Sequence, residues 1–197
     1  VMGAASVSGE LVAGVDEAGR GALAGPLYVA SVILPEEFHH PLLRDSKTLS
    51  PGQRAEIARL IQEVAIAFAI VEVPVEEIEQ LNILRATLLG MARAVKALPV
   101  RPSLVRIDGP HAPPLQGYRM ETYVDGDALW PEIAAASILA KTARDTCMTN
   151  LHHHYPHYQW AQNKGYPTSQ HREALRLYGP SPYHRPSFLK RLRLKDR

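Results

Sequence analysis

Cysteine is nearly missing from this sequence: Cys147 is the only one in 197 residues. That excludes an internal disulfide framework and any zinc site built on cysteine, and it fits a reducing, cytoplasmic setting. Long apolar runs are missing too. None approaches the ~20 residues of a membrane span, so no membrane partner is expected. The opening VMGAASVSG has neither the basic start nor the apolar stretch of a signal peptide. Internal repeats, low-complexity tracts and linkers are absent. With 46% apolar and 21% charged residues the chain has an ordinary globular composition. Its length suits one domain with a substantial core, and a monomer is the default expectation.

Net charge is small, at +2, but it is unevenly spread. The tail His184 to Arg197 holds six of the 22 Lys and Arg and one of the 20 acids. The remainder carries 16 basic and 19 acidic residues, a balance of −3. A basic tail on a mildly acidic body suggests a polyanionic partner, with a solvated helix face as the plainer reading.

What is present is a pattern of short apolar runs and helical stretches. LVAGVD (11–16), LYVASVIL (27–34), AIAFAIVEV (65–73), LVRID (104–108) and METYVDG (120–126) read as strands. Ser50, Pro51 and Gln53 supply an N-cap, a first-turn proline and a capping-box partner for a helix over 51–64. Helical spacing continues over 83–98 and 132–148, with further helices near 168–178 and 186–195. Three early strands followed by helices alternating with two more indicate an α/β domain with a mixed sheet. The last third reads as helical and loop-rich.

The stretch GVDEAGRG, Gly14 to Gly21, has two glycines at the spacing of a phosphate-cradling loop. Such a loop continues with Lys and Ser or Thr, and here Arg20 and Gly21 follow. Asp16 and Glu17 inside it would repel phosphates, so that reading fails. Asp16 ends one buried run and Asp108 ends another, while VDGD offers Asp125 and Asp127 before a helix. Each alone reads as turn or N-cap chemistry. Together they favour a site for a hard divalent cation, which prefers carboxylate oxygens. Adjacent strand residues face opposite ways, so Asp16 and Glu17 share a site only if the chain bends, which Ala18-Gly19 makes easy. Two cations held there would support in-line phosphodiester hydrolysis.

VAGVDEAGRG, DSKTLS, LNILRATL, RIDGP, PEIAAASILAKTARD, NKGYPT and HRPSF occur in this order from about Leu11 to Phe188. In these segments the chain resembles prokaryotic ribonuclease HII. DEAGRG with a later KGYPT is highly specific, and an integrase-type or junction-resolving nuclease calls for neither. The resemblance implies an RNase H-like fold, a mixed sheet flanked by helices with a C-terminal helical extension from about residue 151. It implies hydrolysis of the RNA strand of RNA–DNA hybrids. It also implies nicking of duplex DNA 5′ to a single embedded ribonucleotide, leaving 3′-hydroxyl and 5′-phosphate ends.

By the same likeness Asp16, Glu17 and Asp108 bind Mn²⁺ or Mg²⁺, and Asp127 completes the acidic set. Asp125 is a departure, because a Lys often precedes that Gly in the family. Asp127 is preferred because it keeps the Gly-Asp dipeptide and its spacing to PEIAAAS. Gly19, Arg20 and Gly21 approach the ribonucleotide, with Gly21 letting main-chain groups reach the 2′-OH and Arg20 meeting the adjacent phosphate. Tyr166 hydrogen-bonds the 2′-OH and stacks on the next deoxyribose; the residues alone read it as a core aromatic beside Tyr158 and Trp160. Lys47, Lys141, Arg144 and Lys164 are candidate phosphate contacts, with a Lys141–Asp145 pair as the alternative for that helix face. His153 and His157 are four apart, but Pro156 breaks the helix that would align them, so a surface or packing role is expected. Cys147 and Ser137 read as packing residues on a helix.

Overall fold

The computed structural model describes residues 9–44 and 46–192. The apolar runs pair into one five-stranded mixed sheet, with strands numbered in chain order. β1 (Val12–Ala18) is central, antiparallel to β2 (Leu27–Ile33) and parallel to β4 (Leu104–Asp108). β3 (Ala67–Val73) pairs antiparallel outside β2, and β5 (Met120–Tyr123) pairs parallel outside β4, giving the order β3-β2-β1-β4-β5.

Alternation along the strands divides the core into two layers. On one face Ala30 and Val32 pack against Ile57 and Ile61 of helix α1 (Pro51–Val64) and the Ala134–Ala140 stretch. On the other, Val15, Val29, Val105 and Ile107 meet α2 (Val75–Leu81) and α3 (Ile83–Lys96). Fully buried Ile61, Ile107, Ile138 and Leu139 each contribute about 1.5–3 kcal/mol of apolar burial. Ser50 caps α1, accepting from the Gln53 N–H, while the Gln53 side chain accepts from the Ser50 N–H in return.

The long helix α4 (Pro131–His154) crosses β1 at close range because Gly14 has no side chain. A Cβ there would lie 2.2 Å from the Glu132 carbonyl carbon and 2.4 Å from the Ile133 nitrogen. Both clashes are with backbone, so Gly14→Ala should destabilise the protein by about 3 kcal/mol, read by urea unfolding. A loss under about 1 kcal/mol would mean that α4 can slide without cost.

Helices α5 (Ser169–Tyr178) and α6 (Pro186–Leu192) form the expected C-terminal helical part. They gather around buried Tyr158, Trp160, Ala174 and Leu175, against Leu23, Ala24 and Met148. No helix among the described residues is long and apolar enough to cross a membrane.

Several local readings change. α2 has no signal in the sequence pattern, because seven residues after Pro74 with only Val75 and Ile78 buried give too little periodicity. β5 stops at Tyr123 because Asp125 takes a left-handed conformation (φ 55°) and Gly126 opens a helical turn. α4 runs six residues past Met148, through His154, and Pro156 then starts a 3₁₀ turn. His153 therefore lies on α4 while His157 lies in the turn, its ring 4.1 Å from that of Tyr158 and 4.6 Å from that of Tyr178. Residues 193–197 of the basic tail lie outside the described residues.

Candidate active site

The parallel register Val15↔Ile107 sets Asp16 and Asp108 one step further along, side by side on the α4 face of the sheet. β4 ends at Asp108, whereas β1 stays paired to β2 through Ala18↔Tyr28. The anticipated bend is thus unnecessary. The β1–β4 pairing ends at Val15↔Ile107, so Glu17 has no paired β4 residue beside it. Carboxylate oxygens of Asp16, Glu17 and Asp108 all lie within 4.8 Å of one another.

Burial first, and the neighbouring carboxylates after it, push all three pKa values up, that of Asp16 furthest. Only part of this is relieved: Asp16 Oδ1 accepts from the Glu17 N–H at 2.8 Å, and Asp108 Oδ1 from the Gly126 N–H at 2.9 Å. Glu17 Oε2 is buried with no hydrogen-bond partner among the described residues. Three converging carboxylates with an unpartnered oxygen are a donor set that fits a hard divalent cation.

The neighbouring acids separate clearly. Asp127 is buried and its charge adds to the upward shift at Asp108. Asp125 is exposed. Asp127 nonetheless lies outside the group of three, with its Oδ2 3.8 Å from Lys47 Nζ.

β1 leads directly into the loop Gly19–Pro26. Gly19 has φ +99°, and a Cβ on it would lie 2.1 Å from Arg144 Nε. The loop carbonyls point inward to two buried guanidiniums. Arg144 donates to Pro26, Ala24 and Lys164 carbonyls at 2.9, 2.8 and 2.7 Å. Arg185 donates to Gly19, Arg20 and Gly25 carbonyls at 2.8 to 3.2 Å. With the carbonyls so engaged, the N–H groups of Arg20 and Gly21 have no hydrogen-bond partner among the described residues. Leu23 N–H donates to the Gly165 carbonyl at 2.8 Å, which seats Tyr166 beside the loop.

A family model described as Ribonuclease HII matches residues 13–193. The chain belongs to this family. It is 50% identical over 175 residues to the ribonuclease HII of Porphyromonas gingivalis, covering 89% of this chain and 87% of that one. It is 52% identical over 177 residues to the ribonuclease HII of Nitrosospira multiformis, covering 90% and 88%. The structure of the PCNA:RNase HII complex from Archaeoglobus fulgidus superimposes with a TM-score of 0.77 at 25% identity, over 95% of this chain and 98% of that one. The RNase H-like architecture expected from sequence is therefore the one this chain has.

Other expected site residues are placed less uniformly. Tyr166 is 39% exposed and joins neither Tyr158 nor Trp160, which are buried; it is not a core aromatic. Its ring centre lies 5.3 Å from the Arg144 guanidinium carbon. Arg20 and Lys47 are exposed. Lys164 donates to Thr149 Oγ1 at 3.3 Å, and Lys141 is half-buried. Asp145 pairs with Arg54 at 2.9 Å, so the Lys141–Asp145 alternative loses its acid.

Arg144 requires correction as a phosphate contact. It is 1% exposed and its guanidinium is taken up by main-chain carbonyls, some from a loop 120 residues away in sequence. Arg185, counted above in a solvated basic tail, is likewise buried. Its adjacency to His184 and its place in HRPSF were visible in sequence, but nothing in composition separates an arginine that meets carbonyls from one that meets phosphates.

Proposed function

We propose that this chain hydrolyses the RNA strand of RNA–DNA hybrids and nicks duplex DNA 5′ to an embedded ribonucleotide, leaving 3′-hydroxyl and 5′-phosphate ends. The observation that supports this best is the continuity of three converging carboxylates with an exposed loop whose Arg20 and Gly21 N–H groups have no partner among the described residues. Asp16, Glu17 and Asp108 hold the divalent metal, Mg²⁺ or Mn²⁺, and Asp127 stands next to them. The cation supplies positive charge that activates the attacking water and stabilises the leaving oxygen.

The protein's own groups select the substrate. The N–H groups of Arg20 and Gly21 approach the 2′-OH, the feature that distinguishes RNA from DNA at one sugar. Tyr166 donates its phenol to the same hydroxyl and lays its ring on the next deoxyribose. Arg20, Lys47, Lys141 and Lys164 meet phosphates as point charges. The protein acts in the cytoplasm as a monomer.

A duplex carrying one ribonucleotide should be cut with Mg²⁺ or Mn²⁺, beside a long-hybrid control, and an all-DNA duplex should not. Equal cutting of both sinks the 2′-OH argument. Tyr166→Ala should cost about tenfold or more in cleavage at the ribonucleotide–DNA junction with little loss of melting temperature, since its side chain is already exposed. Wholesale unfolding of that variant would return Tyr166 to a packing role.

A further inference from the structure

The dipeptide His184-Arg185, which leads into α6, lies away from both the carboxylates and solvent, yet Arg185 bonds the Gly19–Gly25 loop directly and His184 connects to the Tyr166 main chain through His171. Both residues are buried, at 2% and 0% exposure. No carboxylate forms an ion pair with Arg185 among the described residues. Its guanidinium instead gathers the Gly19, Arg20 and Gly25 carbonyls, and its own N–H donates to Leu23. A buried charge bonded only to main-chain carbonyls is costly unless the geometry is fixed, and here it fixes the turn that presents the Arg20 and Gly21 N–H groups.

His184 acts toward Tyr166. Ser181 N–H donates to His184 Nδ1 at 2.8 Å, so a neutral ring carries its proton on Nε2. That Nε2 lies 2.9 Å from His171 Nε2. His171 Nδ1 faces the Tyr166 carbonyl at 3.0 Å and must donate to it, which leaves His171 Nε2 as acceptor for both His184 and the Trp160 indole. Every ring nitrogen thus has one role, and the relay ends on the main chain of Tyr166. Burial pushes the pKa of both rings down, that of His184 to about 3, so both stay neutral.

We infer that His184 and Arg185 are positioning residues for ribose recognition, Arg185 setting the Gly19–Gly21 turn and His184 setting Tyr166 through His171. This rests on the substrate reading above. The test measures kcat and KM on a single-ribonucleotide duplex, with an all-DNA duplex as competitor to give its Ki, for wild type and for Arg185→Lys, His184→Leu and His184→Gln. Lys keeps the charge but not the fork; Leu removes the donor to His171; Gln can restore that donor from its amide.

Arg185→Lys and His184→Leu should each lower kcat/KM by about tenfold, with the Ki of the all-DNA competitor changed by less than about threefold. His184→Gln should recover most of the loss. Folded variants with wild-type kcat/KM would overturn the inference, as would a parallel loss of all-DNA affinity, or a failure of all three variants to fold, because either marks a general structural role. Wild type that cuts ribonucleotide-containing and all-DNA duplexes alike would instead overturn the substrate reading itself.

Discussion

Asp108→Asn should reduce nicking by on the order of 10³-fold while leaving a protein that folds and, without metal, melts higher than wild type. The Asn carbonyl keeps the acceptor for the Gly126 N–H, so the turn after β5 is not disturbed. What disappears is one of three charges crowded into a buried site. Asp16, Glu17 and Asp108 each have a folded-state pKa above the ordinary carboxylate range. An acid shifted upward stabilises the fold below its unfolded pKa, and that contribution is lost as pH rises through the folded value. Metal-free wild type should therefore lose stability relative to Asp108→Asn as pH rises from about 4 toward neutrality. Divalent cation should recover it in wild type and much less in the variant. Melting curves across that range, with EDTA and with Mg²⁺, check the sign. Full activity in the variant would refute the metal assignment.

Gly21→Ala should separate stability from activity. A Cβ at Gly21 meets nothing within 4 Å, and the residue is exposed, so the unfolding free energy should stay within about 0.5 kcal/mol of wild type. Cleavage of the ribonucleotide-containing duplex should nevertheless fall by about 10²-fold, because an added methyl holds the sugar roughly an ångström away. Gly19→Ala is the contrast: its Cβ would strike Arg144 at 2.1 Å and its φ of +99° suits no side chain, so that variant should unfold early. If Gly21→Ala cuts as wild type does, the sugar does not come to this loop.

Much of this was readable in the chain because the signals were local. A β-branched run ending in an acid located Asp16 and Asp108, and the Ser50-Pro51-Gln53 triplet located the start of α1. The family resemblance prefers Asp127 over Asp125, and Asp127 is the buried one of the two. The misreadings share one physical cause. Arg144 looks like a phosphate ligand and Arg185 like part of a solvated basic tail because charge is visible in sequence, whereas the loop carbonyls that claim them come from far along the chain. How Asp16 and Glu17 come to share one site is likewise beyond local pattern: strand alternation is local, whereas the point where β4 stops pairing with β1 depends on another strand.

β1 is continuous with the loop it feeds, and this has a consequence for where the cut falls. Glu17 and Gly21 are four residues apart on one strand-to-turn segment, so they can never be more than about 14 Å from each other. With Glu17 holding the metal and Gly21 meeting the sugar, as proposed, the two share a single covalent ruler, and Arg185 clamps the Gly19 and Arg20 carbonyls along it. On that proposal the distance between the hydroxyl that is felt and the bond that is broken is bounded by the chain, whatever bases flank the sugar. A bounded reach of this kind keeps the cut beside the ribonucleotide that triggered it.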